Sequence, residues 1–221
     1  MIPYQISAYV EFAYFLSVFL LSLMVYFQTR KMQVFAFHRG INYFGNAFLA
    51  FSFLYLFRFM VLNLRFASNL IPHATGVALE QFGMFLVTYF SFLAIFSLIS
   101  SFLWKRYHFL SDNRIAIASL LISCATFFMK LPAILLLLGV AVAFFLALKA
   151  YDNYVKKRKI FSPIFIIYTL LVVFILFDLV PITQQVFQDF KIAVYIGSIS
   201  VFLYINLKVK KVLSAGETKE K

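Results

Sequence analysis

The sequence predicts an all-α membrane protein in which seven transmembrane helices form one bundle. Three observations support this prediction. The mean hydropathy is +0.94, with 64% hydrophobic and only 13% charged residues, whereas soluble domains have about half apolar and about a quarter charged residues. The apolar residues are gathered in runs, most of them of about 18 residues or more, which is the length of a membrane-spanning helix. Basic residues recur in every second connection between these runs.

The predicted spans follow one another with short connections. They are residues 8–28, 41–63, 79–104, 115–128, 131–149, 161–180 and 183–207. The fourth span is short, but a single helix over 115–149 would exceed the roughly 17–25 residues that a span needs. Pro132 disfavours helical geometry in the residue before it, so we predict a tight hairpin here. The spans make up one domain, residues 1–212, and residues 213–221 form a short charged cytoplasmic tail.

The distribution of basic residues predicts the orientation of these spans. Four alternate connections contain most of them, at Arg30, Lys31, Arg39, Lys105, Arg106, Arg114, Lys149, Lys156, Lys157, Arg158, Lys159, Lys208, Lys210 and Lys211. Since basic connections stay in the cytoplasm, the N-terminus is predicted outside and the C-terminus in the cytoplasm of a multi-pass cell-membrane protein.

The same residues indicate which partners to expect. A net charge of +12 favours contact with the anionic headgroups of the lipid bilayer. Nucleic acid is not an expected partner, because the charge is divided among short connections. The run Lys156, Lys157, Arg158 and Lys159 is predicted to contact lipid or a cytoplasmic protein partner.

Ionisable residues within apolar spans are costly and therefore point to function. We predict an outward-facing polar pocket for a zwitterionic or small polar ligand, or an ion, lined by Glu11, Arg58, Glu80, Asp178, Gln188 and Lys191. A structural interpretation stays open beside it. Arg58 and Glu80 can reach the membrane surface with their long side chains, and Asp178 can pair with Lys191 to cap the last hairpin.

The last span carries the most regular polar pattern. Residues three or four positions apart share one face of a helix, and this spacing relates Gln184, Gln188, Lys191, Tyr195 and Ser198. A polar face on an apolar helix is expected to point into the bundle.

Catalytic and metal chemistry are not expected. Cys124 is the single cysteine, and His38, His73 and His108 are not spaced as ligands on one helix. The sequence contains no nucleophile–histidine–acid set and no glycine-rich phosphate loop. We therefore predict neither an enzyme nor a bound cofactor.

One segment carries a family resemblance. Residues 39–59, "RGINYFGNAFLAFSFLYLFRF", begin with a basic residue, continue with aromatic and small residues, and contain an arginine near the outer end. Together with the predicted topology, the segment resembles the second helix of the seven-helix sensory modules that precede histidine kinases in prokaryotes. The resemblance implies a free-standing sensor or receptor-like protein, whose output would need a separate partner.

Two other functions stay open at this point. The chain could be a structural or accessory subunit of a membrane complex, or a homo-oligomer, in which Gly40, Gly45, Ala47 and Ala50 pack against another membrane chain, because small residues permit close helix contact. A small-solute carrier is the third possibility.

Overall fold

The computed structural model describes residues 4–35, 39–66, 73–103, 111–129, 141 and 191–217. Five helices account for the regular structure of these ranges, and the all-α class is confirmed for them. The helices are α1 (Tyr4–Phe35), α2 (Arg39–Phe66), α3 (His73–Leu103), α4 (Asp112–Met129) and α5 (Lys191–Glu217). Apart from residue 141, the predicted spans 131–149 and 161–180 lie outside the described residues.

Four of the five helices are long and apolar enough to cross a membrane. Their apolar segments are Tyr9–Gln33, Arg39–Leu64, Thr75–Ser101 and Ile192–Ser214, with mean hydropathies between 1.7 and 2.1. At about 1.5 Å per residue, a helix of about 25 residues is roughly 37 Å long, which exceeds the roughly 30 Å hydrocarbon core. By length and composition, these segments indicate a helical membrane protein.

The helices extend past the apolar runs that predict them. Helix α1 continues to Phe35, well beyond the predicted end at residue 28, because backbone hydrogen bonding persists through polar residues that interrupt an apolar run. Helix α4 begins at Asp112, whose acidic side chain suits the positive end of the helix dipole. The carbonyl of Ser111 accepts hydrogen bonds from the amides of Arg114 and Ile115 and closes the first turn.

The chain divides into two compact units, residues 1–130 with 206–221 and residues 131–205. In the first unit, α2 packs against both α1 and α3, and α4 packs against α3. Phe53 and Phe57 of α2 stack on Phe90 of α3, with ring centroids 5.2 and 5.5 Å apart. The second unit includes α5 up to Ile205. In this part of α5, the side chains of Tyr195, Ser198, Phe202 and Ile205 are buried.

Small residues set the distances between neighbouring helices. A Cβ atom on Gly45 of α2 would lie 3.3 Å from Cγ2 of Thr29 in α1. A Cβ atom on Gly83 of α3 would overlap Cγ2 of Val61 in α2. Gly83 therefore permits a helix approach that a larger residue would obstruct, and at Gly45 an added methyl group would make a tight contact.

The small residues of α2 do not form a lateral face. Gly40, Gly45, Ala47 and Ala50 are all buried within the chain, so the expectation that these four residues pack against another membrane chain is wrong. The reason is the position of α2, which packs against α1 and α3 of the same chain.

Helix α4 buries small residues that carry hydroxyl groups. Ser119, Ser123 and Thr126 are buried, and each donates a hydrogen bond to a carbonyl one turn earlier in the same helix, at 2.6 to 2.8 Å. Within the part of the chain that the structure describes, these intrahelical bonds satisfy the hydroxyl groups. The buried face of α4 is therefore compact and internally satisfied.

Candidate functional site

The pairing of α1 with α2 determines which polar residues lie at the same level. The ring centroids of Phe12 and Phe59 are 4.1 Å apart, and those of Tyr14 and Tyr55 are 5.8 Å apart. The helices are therefore antiparallel, since a step forward along α1 meets a step back along α2. This register places Glu11 within about one residue of the level of Arg58.

A buried tyrosine pair lies next to these two charged residues. Tyr14 and Tyr55 are 1% and 0% exposed, and their hydroxyl oxygens are 3.3 Å apart in a hydrogen bond. The two rings meet edge to face at 87°, an arrangement that aromatic quadrupoles favour. The guanidinium carbon of Arg58 lies 5.5 Å from the centre of the Tyr55 ring, within the range of a cation–π interaction.

The structure describes three of the six predicted pocket residues with their side chains. Glu11, Arg58 and Glu80 are each half-buried. Asp178 and Gln188 lie outside the described residues, and Lys191 begins α5 with its side chain outside the description. The predicted partner run Lys156, Lys157, Arg158 and Lys159 also lies outside the described ranges.

Glu80 lies farther along the helices than Glu11 and Arg58. The contacts between α2 and α3, Phe57 with Phe90 and Val61 with Gly83, place Glu80 level with Leu64. Leu64 is about six residues beyond Arg58, which corresponds to roughly 9 Å along the helix axis. The structure thus brings Glu11 and Arg58 to one level and leaves Glu80 nearer the predicted outer surface.

The polar face of the last span is partly described. Tyr195 and Ser198 are buried, as expected for residues of an inward-facing helix side. Gln184 and Gln188 lie outside the described residues. Within the part of the chain that the structure describes, the hydroxyl of Ser198 has no hydrogen-bond partner.

A second polar region, which sequence reasoning missed, lies toward the opposite end of α1. The Nε2 of Gln28 donates to Oδ1 of Asn206 in α5 at 2.8 Å, and the Nε2 of Gln33 donates to Oδ1 of Asn42 in α2 at 2.9 Å. We call these two contacts the amide pairs. Gln33 and Asn42 flank one short connection, which is a sequence signal, but nothing in the sequence relates Gln28 to Asn206.

Arg30 is held in place beside the amide pairs. Its Nε donates to the hydroxyl of Tyr26 and its Nη1 donates to Oε1 of Gln33, both at 3.1 Å. The guanidinium carbon also lies 5.4 Å from the centre of the Tyr26 ring. Arg30 is exposed, so these contacts orient a cation at the surface.

Two buried polar atoms of α1 add to this region. The Oγ of Ser22 and the Oε1 of Gln28 have no hydrogen-bond partner among the described residues. Polar atoms in such an apolar environment are costly when they are unsatisfied. Ser22 lies between the tyrosine pair and the amide pairs along α1, so buried polar groups continue from one to the other.

Metal ligands do not cluster in the described part of the chain. No group of three or more His, Cys, Asp or Glu residues there could hold a metal ion. Cys124 is a half-buried free thiol in α4.

Comparison with known proteins shows a distant similarity over most of the chain. A protein of Archaeoglobus fulgidus, described as uncharacterized, is 26% identical over 210 residues, which cover 89% of each chain. No protein-family model matches the sequence, and no solved structure matches it. The similarity covers most of both chains, and it assigns no activity.

Proposed function

We propose that this chain is a receptor-like or sensor protein of the cell membrane that binds a small polar ligand near Glu11 and Arg58. It has seven transmembrane helices, an outer N-terminus and a cytoplasmic C-terminus. The observation that supports the proposal best is the presence of opposite charges at one level of α1 and α2, beside the buried tyrosine pair. Charges within apolar helices are costly and usually mark functional sites.

The side chains at this level favour a ligand with both charges. A guanidinium offers planar paired donors that suit a carboxylate, and the carboxylate of Glu11 suits an ammonium group. Phe12 and Phe59 pack against each other at the same level and supply an apolar wall. An amino acid or a betaine has the matching combination of a carboxylate, a cation and a small apolar body.

Helix α1 provides a mechanical connection from this site to the amide pairs. Tyr14 and Gln28 lie in one unbroken helix and are about 14 residues apart, roughly 21 Å along the axis. A ligand that binds one arrangement of α1 and α2 more tightly shifts the population toward that arrangement. The amide pairs toward the other end of α1 would then report the shift to a cytoplasmic partner, for which the run at 156–159 is the proposed contact.

Thermal unfolding in mild detergent tests the proposal with a defined panel, the common amino acids and glycine betaine. A compound at about 100 times its Kd should stabilise the folded protein by roughly 2.7 kcal/mol. The proposal expects one compound to raise the unfolding temperature of the wild type and to have no effect on Arg58→Gln. Arg65→Gln is the matched control, because it removes the same charge from the last turn of α2 and should keep the response.

A response that is equal in the wild type and Arg58→Gln would contradict this site. If no compound of the panel has an effect and native mass spectra of both proteins show no ligand adduct, the charged residues are structural.

A small-solute carrier is the second candidate, and one observation favours it. The buried side of α1 carries polar groups along its length, at Tyr14, Ser22 and Thr29, so polarity is not confined to the outer end. Uptake of a stabilising compound into proteoliposomes would support the carrier, whereas binding without uptake would support the sensor.

A further inference from the structure

We propose that the ends of α1, α2 and α5 beside the amide pairs form a binding site for the phosphate headgroup of an anionic lipid. The site is independent of the proposed ligand pocket, since it lies toward the other end of α1. It consists of Arg30, Lys31, Arg39, Lys208, Lys210 and Lys211, which we call the basic cluster.

The first amide pair brings cations from distant parts of the sequence together. Gln28 contacts Asn206 across 178 positions. Arg30 and Lys31 follow Gln28 closely, and Lys208 and Lys211 follow Asn206 closely. At about 1.5 Å per residue, all of these lie within roughly 12 Å of one another along the axis, whichever way α5 runs.

The second amide pair adds a cation from α2. Gln33 contacts Asn42, and Arg39 precedes Asn42 by about three residues, roughly 4.5 Å along the helix. Lys208 is half-buried, and the other members of the basic cluster are exposed. Among the described residues, Asp112 begins α4 and Glu217 ends α5. The basic cluster keeps a net positive charge when these two acidic residues are counted with it.

Arg30 has the orientation that phosphate recognition needs. Its contacts with Tyr26 and Gln33 use two of the N–H donors of its guanidinium and leave others for a ligand. A guanidinium whose orientation is already fixed loses less conformational freedom when it binds a phosphate.

The surface next to Arg30 distinguishes a lipid from free phosphate. Leu20, Met24 and Phe27 are 48%, 51% and 56% exposed, and their spacing of four and then three residues places them along one side of α1. Arg30 and Lys31 continue this side, at the positions three and four residues after Phe27. An acyl chain and a phosphate of one lipid molecule match this succession of apolar and basic side chains.

Native mass spectrometry with added lipid tests the site. Phosphatidylglycerol and phosphatidylcholine with the same acyl chains are titrated into the purified full chain, and inorganic phosphate is titrated separately. The wild type should bind phosphatidylglycerol more tightly than phosphatidylcholine. Arg30→Gln should weaken phosphatidylglycerol binding about fivefold, which is the roughly 1 kcal/mol expected for one basic residue near an anionic surface.

Two further variants separate this site from general charge effects. Arg65→Gln removes the same charge from the opposite end of α2 and should leave phosphatidylglycerol binding unchanged. Asn206→Leu keeps every charge but breaks the contact with Gln28, and it should weaken phosphatidylglycerol binding because the two sets of cations separate. If Arg30→Gln does not fold, Lys211→Gln provides the same test.

Equal binding of the two lipids by the wild type would overturn the proposal. Equal losses in Arg30→Gln and Arg65→Gln would also do so, because they would reflect net charge alone. Competition by inorganic phosphate at the lipid's own concentration would assign the cluster to a free anion instead.

Discussion

Replacing Gly83 with alanine should destabilise the protein through a single added methyl group. The new Cβ would overlap Cγ2 of Val61, and Val61 is 5% exposed, so it has little room to withdraw. Valine is also stiff at χ1 within a helix. Because α2 and α3 form the most extensive helix contact of the described chain, moving them apart would disturb the packing along both.

The size of the effect follows from two opposing contributions. Overpacking of a well-packed core costs about 1–3 kcal/mol, and the rigid neighbour places Gly83→Ala near the upper limit. Alanine favours the helix over glycine by about 1 kcal/mol. The expected net loss in the free energy of unfolding is therefore about 2 kcal/mol.

Unfolding in mixed micelles, followed by circular dichroism, measures this loss. Gly197→Ala is the matched control, because nothing lies within 4 Å of the added Cβ, and it should be neutral or stabilising by up to about 1 kcal/mol. In a double-mutant cycle, Val61→Ala should relieve part of the cost of Gly83→Ala. A Gly83→Ala protein as stable as the wild type, with no coupling to position 61, would refute the close approach of α2 and α3.

Three further substitutions test single contacts by the same unfolding measurement. Tyr55→Phe should cost about 0.5–1.5 kcal/mol. Adding Tyr14→Phe should cost little more, because both substitutions remove the same hydrogen bond between the two hydroxyl groups; additive losses would contradict this hydrogen bond. Asn206→Leu should cost about 0.6–2 kcal/mol, since it leaves the Nε2 of Gln28 without its acceptor, and an unchanged stability would argue against this contact. Ser123→Ala should change the stability by less than about 0.5 kcal/mol, because among the described residues the hydroxyl donates to the carbonyl of Ser119 in its own helix; a large loss would indicate a partner on another helix.

The helical membrane class could be predicted from sequence because it depends on composition and local order. A bilayer requires long apolar segments with internally satisfied backbone groups, and such segments are visible in the residue order. The ends of the helices were harder to place. Helix α1 runs past residue 28 through Thr29 and Arg30, because an apolar run ends at the membrane surface but a helix need not.

The candidate site was predictable in part. Glu11 and Arg58 could be selected from the sequence alone, because they are charged residues within predicted apolar spans. The hydrogen bond between Tyr14 and Tyr55 could not be predicted from the sequence, since tyrosines are common in this chain and their partners depend on helix register. From sequence, the small residues of α2 are compatible with an external partner, whereas packing within the same chain buries them.

Residue order alone establishes that the chain forms long apolar helices and where charges interrupt them. These properties depend on residues that are neighbours in the chain. Only the tertiary structure shows that Glu11 is level with Arg58 and that Val61 packs closely against Gly83. It also shows that Gln28 donates a hydrogen bond to Asn206. Such contacts depend on how one helix is rotated and shifted against another. Many registers bury similar apolar area, so the choice between them rests on the fit of individual side chains.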